Sequence, residues 1–190
     1  MSFRIEEKTI LNRSDYFHFL KILENNNIKK MFPTRKIQSL YFDNYSNKMF
    51  VDSEEGITPR KKIRIRKYNN TKKYCLEIKI NSPEGKFKNT KKINDINRYI
   101  DNGYFDNLYG LCFPKIWISY IRDYYFFNGS RITIDKEITY EHFNKTFLKK
   151  SEKQIILEIK NKNIYKIYDE NFNFTRYRFS KYSEGMKKFI

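Results

Sequence analysis

Alternation of apolar and polar residues with period two dominates this chain. In "RKKIRIRKY", residues 60–68, Arg60, Lys62, Arg64 and Arg66 fall on one face of a strand and Ile63 and Ile65 on the other, because successive strand side chains point to opposite sides. "FRIEEKTI" (3–10), "KYCLEIKIN" (73–81), "SRITIDKEI" (130–138) and "KQIILEIKN" (153–161) repeat the pattern, while "IQSLYFDN" (37–44) and "KIWISYIRDYYFF" (115–127) alternate or run apolar. Turn residues separate them, so each reads as a strand. Helical spacing appears over residues 12–25, where Tyr16, Phe19, Leu20 and Leu23 share a face behind Ser14 or Asp15 as cap. A second helix is predicted over 93–102 with Gly103 as its C-cap, and short helices over 163–171 and 181–189. No Pro/Gly/Ser-rich linker or internal repeat interrupts the 190 residues. The reading is one α+β domain, residues 1–190, built on a mainly antiparallel sheet.

The polar faces of those strands are charged in a particular way. Arg4, Glu6 and Lys8 share one; Cys75, Glu77 and Lys79 another; Arg131, Thr133, Asp135 and Glu137 a third; Glu158 and Lys160 the last. Solvated outer faces would account for any single strand. Taken together, a sheet closed into a barrel, with charged faces inward and helices on the apolar outside, predicts a cationic tunnel carrying a small acidic patch. Stacked cations repel one another, so such an interior calls for an anion of high charge density, with the carboxylates available for a divalent metal.

The overall balance supports an anionic partner. Lys and Arg number 39 against 22 Asp and Glu, a net charge of +17, which favours nucleic acid, a phosphate compound or an anionic membrane surface. The chain's richness in Asn, Lys and Ile dilutes that signal. Two cysteines, Cys75 and Cys112, give neither a disulfide framework nor a zinc spacing. His18 and His142 have no partner at ligand spacing and are expected to play no catalytic part. The charged N-terminus and the lack of a long apolar run predict no signal peptide and no membrane span, hence a soluble, cytoplasmic protein.

The order of short motifs is more specific. Arg4-Ile-Glu6-Glu-Lys8, Ser39-Leu-Tyr-Phe-Asp43, Lys62-Ile-Arg64-Ile-Arg66-Lys-Tyr68, Leu76-Glu77-Ile-Lys79, Ser119-Tyr120-Ile-Arg122, Arg131-Ile-Thr-Ile-Asp135, Leu157-Glu158-Ile-Lys160 and Phe179-Ser180-Lys181-Tyr182 span nearly the whole chain. In that order they resemble the VTC domain, the polyphosphate polymerase branch of the triphosphate tunnel metalloenzyme (CYTH-like) superfamily. The resemblance implies a tunnel of antiparallel strands that cradles triphosphate or polyphosphate. It also implies phosphate ligands at Lys8, Arg64, Arg66, Lys79, Lys91, Arg122, Arg131, Arg178 and Lys181, with Lys62 added. Lys88 and Lys92 are alternatives to Lys91 within "KFKNTKK". Glu158, joined by Glu6, would hold Mn or Mg.

The implied activity is transfer of the γ-phosphoryl group of ATP onto a growing polyphosphate chain. Arg64, Arg66, Arg122 and Arg131 would stabilise the transferring group, because guanidinium forks match phosphate oxygens. Two alternatives stay open. A tripolyphosphatase or organic triphosphatase would activate water with Glu6, Glu77 or Asp135; a non-catalytic module would bind polyphosphate or nucleic acid, aided by the 18% aromatic content. Inward-facing ligands would shut out a duplex, so no duplex nucleic acid is expected as partner.

Overall fold

A computed structural model describes residues 5–69, 71, 73–145, 147–161 and 175–190. Its elements are β1 (Ile5–Leu11), α1 (Arg13–Asn25), β2 (Lys30–Asp43), α2 (Lys48–Glu55), β3 (Arg60–Tyr68), β4 (Tyr74–Ser82), β5 (Gly85–Ile93), α3 (Asn97–Asn102), β6 (Tyr104–Asp106), β7 (Gly110–Phe127), β8 (Ser130–His142), β9 (Lys149–Glu152), β10 (Ile155–Asn161) and α4 (Lys181–Lys187). The α+β class and the antiparallel pairing match the sequence pattern. The ladder runs β1-β10-β8-β7-β2-β3-β4-β5, with β6 on β7 and β9 on β8. Among the described residues no pairing joins β1 to β5, so hydrogen bonds do not close the sheet into the barrel expected. The helix expected over 163–171, and Phe3 and Arg4, lie outside the described residues. Among those described, no helix is long and apolar enough to cross a membrane.

The chain divides into two compact units, each drawn from three segments: residues 1–35, 120–138 and 152–179, and residues 36–119, 139–151 and 180–190. In the first, β10 lies between β1 and β8. The register sets Thr9, Leu157 and Ile134 in one row and Glu7, Ile159 and Ile132 in the next. This largely apolar face packs with α1 through Leu11, Phe19, Leu23, Tyr125, Ile132, Ile134, Leu157 and Ile159, flanked by Tyr16 and Leu20. Burying side chains of this size contributes roughly 1.5–3 kcal/mol each. The helix covers the expected residues, but its cap lies two to three positions earlier than expected: Asn12, not Ser14 or Asp15, is the N-cap. Asn12 Oδ1 accepts from the Asp15 amide at 2.9 Å and Asp15 Oδ2 from the Asn12 amide at 3.4 Å, a capping box that satisfies amides the helix itself leaves open.

In the second unit the meander β3–β4–β5 flanks the far half of β2. Leu40, Phe42, Ile63, Ile65 and Leu76 are buried from one side of it. Two elements here escape sequence periodicity. Helix α2 is capped from outside itself: Asp43 accepts the Met49 amide through Oδ1 and the Phe50 amide through Oδ2, both at 3.0 Å. Strand β5 is exposed along nearly its whole length. The predicted helix 93–102 is reduced to α3, which stops where expected at Gly103, φ +72°, whose missing Cβ would sit 2.7 Å from the Cys112 carbonyl oxygen. Close packing recurs at Gly185 of α4, where a Cβ would lie 2.6 Å from Ile116 and 2.7 Å from Tyr140.

Candidate functional site

The β3–β4–β5 registers convert the opening motif into a surface. Across the three strands the rows read Arg60, Asn81, Lys86; Lys62, Lys79, Lys88; Arg64, Glu77, Thr90; and Arg66, Cys75, Lys92. Glu77 is thus the single carboxylate on this cationic face. Its buried side chain is fully engaged: Arg64 donates through Nε and Nη2 to Oε2 at 2.8 and 2.6 Å, Lys88 Nζ donates to Oε1 at 2.5 Å, and Arg66 Nη1 stands 3.6 Å from Oε2. Burial alone would raise the Glu77 pKa, but Arg64 and Arg66 outweigh it and bring it down to about 2. Arg64 Nη1 also donates to Tyr41 Oη at 2.7 Å and Arg66 Nε to Ser39 Oγ at 3.0 Å. The motif Ser39–Asp43 at the end of β2 therefore braces both arginines. Lys62, Lys79 and Lys88 form a cross-strand row of ammonium groups, with Lys88 paired to Glu77 and Lys62 bonded to Ser180, and like charges set side by side favour an anion next to them.

The first unit presents a face of different composition. Its rows are Glu6 with Lys160 and Arg131, then Lys8 with Glu158 and Thr133. Lys160 Nζ bridges two carboxylates, 2.7 Å from Glu158 Oε1 and 3.1 Å from Glu6 Oε2, while Lys8 Nζ lies 3.5 Å from Glu6 Oε1. Burial pushes the Glu158 pKa up, yet Lys8, Lys160 and Arg122 together hold it well below the usual carboxylate range. Arg122 grips Asp135 with two bonds, Nε to Oδ1 at 2.5 Å and Nη2 to Oδ2 at 2.6 Å, the parallel fork that gives such pairs their strength. Two atoms on this face have no hydrogen-bond partner among the described residues although both are buried: Arg131 Nε and Thr133 Oγ1.

Most of the expected residues fall into these two clusters, each on its own unit. Arg64, Arg66, Lys62 and Lys79 share the β3–β4 face; Lys8, Glu6, Glu158 and Arg131 share the β1–β10–β8 face, with Arg122 tied to it through Asp135. Lys181 opens α4, next to Ser180, whose Oγ accepts from Lys62 Nζ at 2.6 Å. Lys91 requires correction. It stands opposite Leu76, on the other side of the sheet from Glu77, because the β4–β5 hairpin turns at Ser82 and Gly85 and gives the even-numbered Lys88 and Lys92 to the charged face. Arg178 is exposed, one residue before Phe179, whose carbonyl accepts from Lys8 Nζ at 3.1 Å.

Sequence reasoning missed a third polar centre. Buried Asp123, the neighbour of Arg122, receives Lys30 Nζ at 2.7 Å and Thr34 Oγ1 at 2.5 Å on Oδ1 and pairs with Lys136 at 2.8 Å on Oδ2. Burial opposes its ionisation, but these partners lower its pKa to about 2. Its partners come from β2 and β8, distant in sequence, and no local spacing marks them.

As to a metal, no group of three His, Cys, Asp or Glu among the described residues is close enough to form a ready cage. Glu158 and Glu6, bridged by one ammonium, nonetheless offer hard oxygen donors of the type Mg and Mn prefer. Such ions commonly take one or two protein carboxylates and complete their shell with water and substrate phosphates. The donor set fits.

Among solved structures, a protein named provisionally as an adenylate cyclase from Bacillus halodurans aligns at TM-score 0.63 and 9% identity, over 94% of this chain and 94% of that one. A similarly named protein from Vibrio parahaemolyticus aligns at 0.61 and 16% identity, over 98% of both chains. One from Hippeastrum, described as an adenylyl cyclase of provisional name with a dominant triphosphatase activity, aligns at 0.58 and 14% identity, over 98% of this chain and 96% of that one. At these identities the likeness shows a shared fold, the triphosphate tunnel fold. No curated protein matches the chain. The family model for the VTC domain matches residues 3–111 and 109–190, and with both charged faces inside those limits, the chain belongs to the VTC domain family.

Proposed function

We propose that this chain is a polyphosphate polymerase-like phosphotransferase, moving the γ-phosphoryl group of ATP onto a growing polyphosphate chain with Mn or Mg as cofactor. The observation that carries the reading is the pair Arg131 Nε and Thr133 Oγ1, buried beside Glu158 without hydrogen-bond partners among the described residues. A buried donor left unpaired costs about 1–3 kcal/mol, and a phosphate oxygen is the acceptor that relieves it. The ammonium row Lys62, Lys79 and Lys88 supports the same ligand chemistry.

In the proposed step, a terminal oxygen of the polyphosphate acceptor attacks the γ-phosphorus of ATP. The bond from that phosphorus to the β,γ-bridging oxygen breaks, and ADP leaves with the electron pair. The nucleophile is already ionised, so no general base is needed. Arginines supply what the loose transition state requires, which is charge on the equatorial oxygens held in a fixed place. Arg64 and Arg66 are pre-aligned by Glu77, Tyr41 and Ser39, and Arg122 by Asp135. Glu158 with Glu6 would hold the divalent ion, which when bound neutralises phosphate charge. Glu77, held low by Arg64 and Arg66, and Asp135, clasped by Arg122, are poor candidates to deprotonate water, which leaves Glu6 as the carboxylate a hydrolase would use.

The test is incubation of the purified chain with ATP labelled at the γ-phosphate plus Mn, with products resolved on a gel beside a Glu158→Ala control. A labelled ladder, lost in the control, is expected. Free labelled phosphate alone would replace the reading with a triphosphatase. No turnover with tight tripolyphosphate binding would leave a binding module.

A further inference from the structure

The motifs Ser39-Leu-Tyr-Phe-Asp43 and Phe179-Ser180-Lys181-Tyr182 contain residues with no part in the chemistry above, yet they meet in the fold. Tyr182, 1% exposed, donates from Oη to Asp43 Oδ2 at 2.5 Å. Its ring stacks on Tyr41 with centroids 5.1 Å apart and planes 14° from parallel, within the range where aromatic pairs attract beyond mere burial. Tyr41 in turn accepts from Arg64. Asp43, 0% exposed, is already the cap of α2 through the Met49 and Phe50 amides, and its Oδ1 also accepts the Asn44 amide at 2.8 Å.

One carboxylate thus ties the start of α2 to the inner face of α4. A second tie joins the helices directly, Ser183 Oγ to Ser53 Oγ at 3.3 Å. Helix α4 is only seven residues long, too short to hold its own orientation. It carries Ser180 and Lys181 immediately before Tyr182. The chain of contacts Asp43–Tyr182–Tyr41–Arg64 therefore fixes where those two side chains stand relative to the cationic face of the same unit.

We propose that Tyr182 and Asp43 are positioning residues: their hydrogen bond, with the Tyr182 ring seated on Tyr41, sets α4 so that Lys181 and Ser180 complete the phosphate-binding face around Arg64. The assignment rests on the proposed function, since it takes that face to bind condensed phosphate. It makes the strand motif and the helix motif two halves of one device. Lys62, bonded to Ser180, is the point where α4 and β3 meet.

The test is calorimetric titration of tripolyphosphate into the wild-type chain, Tyr182→Phe, Lys181→Ala and the double variant. Tyr182→Phe keeps the stacked ring and removes only the hydroxyl. Expected is a loss of about tenfold in affinity for each single variant, as for one lost hydrogen bond near a charge, with the double variant little weaker than either. Leu23→Ala in the first unit's core serves as a control that lowers the melting temperature without changing the dissociation constant. The proposal is overturned if Tyr182→Phe binds like wild type, or if its loss multiplies with that of Lys181→Ala. Tyr182→Leu, which also removes the stack, should weaken binding further; equal binding in the two Tyr182 variants would overturn the role given to the ring. Failure of the wild type to bind tripolyphosphate would instead overturn the functional reading beneath it.

Discussion

The two charged faces differ in one respect that matters, their balance of sign. On the β1–β10–β8 face, Lys8, Lys160 and Arg131 stand among Glu6, Glu158 and Asp135, and Lys160 alone serves two carboxylates. On the β3–β4–β5 face, Lys62, Lys79, Lys88, Lys92, Arg64 and Arg66 share Glu77. A near-neutral set of carboxylates and ammonium groups can exchange an ammonium for a divalent ion with little change in charge. A strongly cationic set can only be neutralised by an anion from outside. Under the proposed function, the first face would hold the metal beside the phosphate oxygen that Arg131 and Thr133 take, and the second face would bind phosphate without a metal.

The largest effects should separate those roles. Arg64→Ala combined with Arg66→Ala removes several charge-assisted bonds and should weaken tripolyphosphate binding by about a thousandfold, measured by calorimetry without metal. Glu158→Gln should act in the other direction: γ-phosphoryl turnover falls by about a thousandfold, as when metal stabilisation of a transition state is lost, while metal-free tripolyphosphate binding is kept. If Glu158→Gln abolishes metal-free binding too, or the arginine variant keeps it, the division of labour is wrong.

Next in size is an acid-stability effect located at Glu77. Its folded pKa, about 2, lies below its ordinary 4.5, because Arg64 and Arg66 overcome the burial that would raise it. A depressed carboxylate stabilises the fold fully above the unfolded value and loses that contribution as pH falls through the folded one, so the window runs from 4.5 down to about 2. The linkage corresponds to roughly 3 kcal/mol. Glu77→Gln should lower stability by about that amount at neutral pH in urea titrations and flatten the fall between those limits. An unchanged acid slope would mean the arginines do not depend on Glu77.

How much of this was legible in the sequence depends on where each signal resides. Strand β3 occupies the residues its alternation predicts, and its even face is cationic, because alternation is local and geometric. Helix α1 was legible except for its cap, since Asn12 acts through an amide three residues on and looks like an ordinary loop residue. Helix α2 was illegible: its cap, Asp43, belongs to the preceding strand, and Asn47, the nominal cap, makes no side-chain cap bond. Strand β5 shows no apolar alternation because neither of its faces is buried, so "KFKNTKKI" gave no periodic signal. Alternation set Arg64 and Glu158 on the strand faces they occupy, but Tyr182 meeting Asp43 is a contact across 139 positions that no local spacing encodes.

The smallest effect resolves the one place where register decided against the expected residue. Lys88 and Lys91 are separated by three positions, so strand geometry sends them to opposite sides. Lys88 donates to Glu77 on the cationic face, while Lys91 is opposite Leu76 on the other. Both are exposed, and composition cannot distinguish them. Removing the Lys88 charge should weaken tripolyphosphate binding by about fivefold, the scale of one solvent-screened ion pair, and steepen Glu77's dependence on its two arginines. Lys91→Ala should leave the dissociation constant within error of wild type. The reverse ranking would mean that β5 pairs with β4 one residue out of the register described, since a single-residue slip exchanges the faces of every side chain along the strand.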